Sequence, residues 1–247
     1  WGCKSCILKG QGVARLYPQP ELRQSGDIDI WVDASRDEIV KLLKSKCIGI
    51  SFIDYVNCHA GFFTEAEVEV HFRPTWFYNP FVNRKVQKWI ERNKETQMSN
   101  YDNEVGLCHP TIGFKLVFSL IHIYRHIFQE GIGLRQLLDY YFILIRSTVK
   151  ERSDALITLK SFGLGKIAAA VMFIEQKVFG VEESYLLCLP NEKEGCFLLE
   201  EIMRGGNFGH FDDRNNFASY DNRWKQGYDN VKRNLRYLKS YPSEVIW

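Results

Sequence analysis

The sequence predicts an α+β protein, an α/β half of about 75 residues followed by a helical bundle. Three observations carry that reading. Up to residue 72 the apolar residues come in short alternating runs parted by turn residues, with one capped helix among them. From Phe81 onward the spacing changes to i, i+3, i+4 over segments of helix length. No internal repeat or low-complexity tract breaks either half.

Taken in order, residues 5–9 read as a short buried strand, followed by Gly10-Gln11-Gly12 and a brief helix through Tyr17. Pro18 and Pro20 force a loop that ends at Gly26-Asp27-Ile28-Asp29-Ile30-Trp31-Val32, a strand. Ser35-Arg36-Asp37-Glu38 is a capping box, and Ile39, Leu42 and Leu43 mark the helix it starts, which is expected to run to about Cys47. Strand-like segments follow near 50–56 and 59–64, and residues 65–72 alternate strictly between polar and apolar. Helical periods then cover 81–93, 110–129, 132–147, 151–162, 165–179, 192–203 and 219–239, with Gly131 and Gly163 punctuating helix ends. Residues 204–218 have loop chemistry. The expected division is an α/β core over 1–80 and a helical domain over 81–247 that closes the cleft.

Composition narrows the function. At 247 residues, 45% hydrophobic and 25% charged, the chain has the make-up of a soluble globular protein. A net charge of +2 gives no overall preference for nucleic acid or membranes. The seven cysteines are scattered and odd in number. Cys3-x-x-Cys6 has no second CxxC and no ligand-spaced histidine pair, so reduced thiols in a cytoplasm are a better reading than a zinc site. No apolar run reaches the length of a membrane-spanning helix. Because the chain opens at Trp1-Gly2-Cys3 and the strand pattern starts almost at once, further residues upstream are expected in the natural protein.

Chemistry concentrates in three places. In a strand, Asp27 and Asp29 project side by side while Ile28, Ile30 and Val32 face a core. Two neighbouring carboxylates repel each other, and a hard divalent cation such as Mg²⁺ or Mn²⁺ relieves that repulsion. Gly10 and Gly12 follow a strand and open a helix, a shape that lets backbone N–H groups approach an anion and that equally suits an ordinary strand-to-helix turn. The third place is the strand over 65–72, which puts Glu65, Glu67, Glu69 and His71 on one face; Glu65 and Glu67 read as the solvated margin of an edge strand.

This order of elements resembles the DNA polymerase β-like nucleotidyltransferase superfamily. Within it the chain resembles an uncharacterised bacterial nucleotidyltransferase family. The resemblance is carried by Leu8-Lys9-Gly10, Tyr17-Pro18-Gln19-Pro20, Arg23-Gln24-Ser25-Gly26-Asp27-Ile28-Asp29, Glu69-Val70-His71 and Ile121-His122-Ile123-Tyr124-Arg125-His126, then Gly131 to Asp139. It spans residues 7–147. It implies a mixed sheet and transfer of a nucleoside monophosphate from an NTP to an unidentified hydroxyl acceptor. Asp27, Asp29 and Glu69 would be the catalytic carboxylates and would hold two Mg²⁺ (or Mn²⁺) ions in a two-metal mechanism. Lys9, Gly10, Gln11, Gly12 and Arg23 would bind the nucleotide phosphates. Here Gly10-Gln11 stands where the superfamily commonly has Gly-Gly or Gly-Ser, and the spacing from Gly10 to Asp27 is longer than usual.

In the helical half, His122 and His126 share one helix face, as do Arg135 and Asp139 on the next. His126, Arg135 and Asp139, with His71, are candidates for the substrate cleft. The opposing reading makes Arg135 and Asp139 an intrahelical ion pair and the histidines packing groups. Segment 219–239 interleaves Arg223, Lys225, Lys232, Arg233, Arg236 and Lys239 with aromatics, which reads as an amphipathic helix with a solvated basic face in preference to an RNA grip. Two alternatives to the enzyme remain: a regulatory or antitoxin-like nucleotide-binding protein that acts through a partner, and an RNA-binding module.

Overall fold

A computed structural model describes residues 2–24, 26–64, 66–129, 131–205, 235–238 and 241. Its sheet is built from β1 (Ser5–Ile7), β2 (Ile28–Val32), β3 (Ile50–Ile53), β4 (Asn57–Ala60) and β5 (Val68–His71) in the order β1-β2-β5-β4-β3. β2 and β5 run parallel and the other neighbours antiparallel, so the sheet is mixed as expected. A parallel pair needs a long crossover. Here the connection contains helix α2 (Arg36–Ser45) and the β3–β4 pair. Pairing of β5 on both sides corrects the edge-strand part of the expectation for Glu67. Glu67 lies just before the strand and is exposed, its carbonyl accepting from the N–H of Ile28 at 2.9 Å. Glu65 lies outside the described residues.

One face of this sheet is apolar. Val68, Val70, Cys58 and Ala60 form a buried cluster with Ile39 and Leu43 of α2, and Ile28, Ile30 and Val32 pack against it. The expected capping box starts α2: Ser35 accepts from the Glu38 amide, while the Glu38 carboxylate takes the Ser35 N–H at 2.8 Å. The helix ends at Ser45, two residues short of expectation, and Cys47 turns back with φ +57°. The brief helix after β1 is α1 (Gln11–Ala14).

Helix α3 (Pro80–Ser99) runs a turn and a half past the predicted 93. Behind it stands a hairpin, β6 (Tyr101–Asp102) and β7 (Leu107–Cys108), that the sequence did not announce. Two-residue strands are too short to show a period. The signals that mark it in hindsight are Asp102, whose Oδ1 takes the Glu104 and Val105 amides, and Gly106 at φ +74°. Trp89 stacks on Phe114 at 4.5 Å, and Phe114 on Trp31 of β2 at 6.2 Å. By backbone packing the chain forms two compact units: Trp1–Trp76 with Arg84–Lys115, and Phe77–Asn83 with Leu116–Trp247.

The second unit holds most of α4 (Ile112–Gln129), then α5 (Leu134–Arg146), α6 (Val149–Ser161), α7 (Gly165–Phe179) and α8 (Glu192–Gly205). α7 packs against α5, α6 and α8, which is why Ala168, Ala170, Val171, Met172 and Ile174 along it are all fully buried. Arg204 and Gly205 belong to α8 rather than to the expected loop, the rest of which lies outside the described residues. The expected basic helix over 219–239 also lies outside them, apart from Leu235–Leu238. There Arg236 Nε stands 3.4 Å from Glu201 Oε2.

Candidate functional site

The polar face of β2, β4 and β5 gathers the site. Register pairs Asp29 with Glu69 and Trp31 with His71 across the parallel ladder, and His59 with Glu69 and Asn57 with His71 across the antiparallel one. Side chains two residues apart share a face. Asp29, Glu69, His71, Asn57 and His59 therefore converge, while the intervening aliphatic residues supply the core on the opposite side.

Asp29 is the buried centre, with 3% of its surface exposed. Its Oδ1 receives Lys9 Nζ at 2.8 Å and His71 Nε2 at 3.0 Å. His71 Nε2 also lies 3.2 Å from Glu69 Oε2. Burial pushes Asp29 upward, but Lys9 and His71 outweigh it and hold the carboxyl well below the usual carboxylate range. His71 is opposed by its own burial, yet the hydrogen bonds to Asp29 and Glu69 raise it above an ordinary imidazole. The outer side of Glu69 is fixed by Asn57 Nδ2, which donates to Oε2 at 2.7 Å, with His59 Nε2 3.7 Å from Oε1. His59 Nδ1 in turn pairs with Glu67.

Asp27 sits just outside β2 and is exposed. Partial desolvation raises its carboxyl first, and the negative charges of Glu69 and Asp29 raise it further. Beside it lies the turn after β1. Gly10 has φ +55°, and a Cβ built there would stand 3.5 Å from the Asp27 carbonyl and 3.9 Å from Arg23 Nη1. Asp27, Arg23 and the Gly10 turn are thus brought together. Lys9 is drawn to Asp29 because β1 is antiparallel to β2 and the Leu8 N–H donates to the Asp29 carbonyl at 2.9 Å. Gly12 has a different duty. A Cβ there would fall 2.7 Å from the Ile7 carbonyl, so the glycine lets α1 fold tightly back on β1. The Gly12 N–H is already bound to the Lys9 carbonyl at 3.0 Å, whereas Gln11 opens the helix.

One ligand atom each from Asp29, Glu69 and His71 lie within 4.8 Å of one another. Two oxygens and an imidazole nitrogen at that separation suit a divalent cation. Asp27 stands outside this group, and His71, expected in a substrate cleft, stands inside it. Asn57 and His59 escaped the sequence reading; their alternation around Cys58, opposite Glu69 and His71, was the available signal. His126 lies on α4, its ring centroid 4.1 Å from that of His122, while Arg135 and Asp139 lie half-buried on α5; all belong to the second unit.

The site is thus an acidic and histidine cluster on the parallel β2–β5 pair of an α/β core, beside a glycine turn. The chain belongs to a family described as uncharacterised nucleotidyltransferases, whose family model matches residues 2–180. No curated protein and no solved structure matches it. Among the described residues no helix is long and apolar enough to cross a membrane.

Proposed function

We propose that this protein transfers a nucleoside monophosphate from an NTP to a hydroxyl-bearing acceptor, with divalent cations held by Asp29, Glu69 and Asp27 and with His71 as a further donor. The observation that carries the reading is the convergence of Asp29, Glu69 and His71 within 4.8 Å on a parallel strand pair in a chain of this family. Bound there, Mg²⁺ or Mn²⁺ would acidify the acceptor hydroxyl and neutralise the triphosphate. Lys9, bridging from the glycine turn to Asp29, and Arg23, on the far side of that turn, supply cations for phosphate oxygens. The turn at Gly10 and Gln11 completes the phosphate cradle in this proposal. Asn57 orients Glu69, and the raised Asp27 carboxyl loses its proton more readily once a cation offsets Glu69 and Asp29. The division into an α/β core over 1–80 and a helical domain over 81–247 belongs to the same proposal.

Titration calorimetry with each of the four NTPs, with and without Mg²⁺ or Mn²⁺, tests it. Cation-dependent binding of at least one NTP is expected, weakened at least tenfold in Asp29→Asn and in the less buried Glu69→Gln. NTP affinity that ignores the cation, or that survives both substitutions in folded protein, overturns the reading.

A further inference from the structure

A cavity of about 670 Å³ opens within the first unit where β2 and β5 end and α2 and α3 begin and pass. That volume falls in the range of small-molecule sites. Its apolar wall is made by Trp31, Phe72, Pro74 and Ile90. Its charged lining contains four cations and three carboxylates, so formal charge alone says little. How those charges are committed says more.

All three carboxylates are engaged. Glu38 closes the capping box on Ser35, and Asp33 and Glu91 each stand 3.0 Å from Lys94 Nζ. Arg73 lies over the Tyr55 ring at 4.6 Å and donates to the Tyr55 carbonyl at 3.2 Å, contacts that position the guanidinium without neutralising it. Arg84 and Lys88 sit one turn apart on α3, both exposed and both lining the cavity, with no ion pair to either among the described residues. Glu38 keeps its negative charge within the capping box, so four cations against three carboxylates leave the lining one positive charge in excess. Arg84, Lys88 and Arg73, none of them in an ion pair among the described residues, line this pocket beside its aromatic and aliphatic wall.

We propose that this pocket binds a small phosphomonoester, its phosphate held by Arg84, Lys88 and Arg73 and its carbon skeleton against the apolar wall. Guanidinium and ammonium groups grip phosphate through charge-assisted hydrogen bonds, and the wall distinguishes an ester from a bare anion. The proposal stands apart from nucleotidyl transfer, because none of these residues belongs to the Asp29 cluster.

Calorimetry on the full chain with glycerol 3-phosphate, and with inorganic phosphate beside it, tests the assignment. The ester is expected to bind saturably and more tightly than inorganic phosphate. Arg84→Gln combined with Lys88→Gln, both on an exposed helix face that tolerates them, is expected to weaken it at least tenfold. Asp29→Asn is expected to leave it unchanged. Absence of saturable ester binding, a double variant within twofold of the parent, an equal or tighter fit for inorganic phosphate, or an equal loss in Asp29→Asn each overturns it. Loss of NTP binding with ester binding intact would refute only the transferase reading.

Discussion

Asp29 is held from two directions by Lys9 and His71, and that arrangement explains how a carboxylate stays ionised in a place almost closed to water. A buried charge without partners is among the costliest features a fold can carry. Replacing Lys9 by Met removes the contact to Asp29 Oδ1 at 2.8 Å and keeps the one from His71 Nε2 at 3.0 Å. Because Lys9 is itself a quarter exposed and His71 remains, the expected loss is about 2 kcal/mol, below the full cost of breaking a buried pair. Urea unfolding of Lys9→Met measures it, and a variant as stable as the parent would show that the pair contributes nothing. At this scale the sequence was informative about which residues carry chemistry and less so about which touch. Asp29 and Glu69 could be paired from strand order, but the inclusion of His71 and the exclusion of Asp27 from the tight cluster depended on where β2 begins. Asp27 precedes the strand, so the alternation that would set it beside Asp29 is not enforced there.

At the scale of elements, the connection from β1 to α1 illustrates how a glycine can matter for packing instead of for a ligand. Gly12 faces the Ile7 carbonyl too closely to admit a Cβ, and that neighbour is backbone, with no flexible end to move aside. Gly12→Ala is therefore expected to cost about 2 kcal/mol, in the range of overpacked sites, as read from the midpoint of denaturant unfolding. An unchanged midpoint would mean that α1 shifts freely. Helix α2 was legible to its cap because Ser35 and Glu38 satisfy each other's backbone locally. The hairpin over 101–108 was not, since its two short strands take their pairing from Asp102 turn contacts and from the Arg15 side chain, whose Nε lies 3.0 Å from Asp102 Oδ2.

For the molecule as a whole, the dependence of stability on pH has an identifiable contributor. Lys115 has 1% of its surface exposed, and burial lowers its pKa from 10.5 to about 8. Below pH 8 it is charged in both states and burial penalises the fold. Between about 8 and 10.5 the folded protein releases the proton while the unfolded chain keeps it, so this group adds stability as pH rises, and above 10.5 its contribution is constant. Lys115→Met is expected to gain one to three kcal/mol, roughly, at pH 7, an advantage that fades across that window. Parallel unfolding titrations of parent and variant at pH 7, 9 and 10.5 check it; a constant difference would assign the effect to packing.

The sequence by itself determined the class of elements, the capped α2, the mixed α/β start, the helical remainder and the family, because periodicity, caps and short motifs are local properties. Only the tertiary structure decided that β5 lies between β2 and β4, that Asn57 and His59 support Glu69, that His71 joins Asp29, and that α3 brings Arg84 and Lys88 to a pocket at the strand ends. Those facts depend on pairing and register between segments far apart in the chain. No local pattern of residues encodes them.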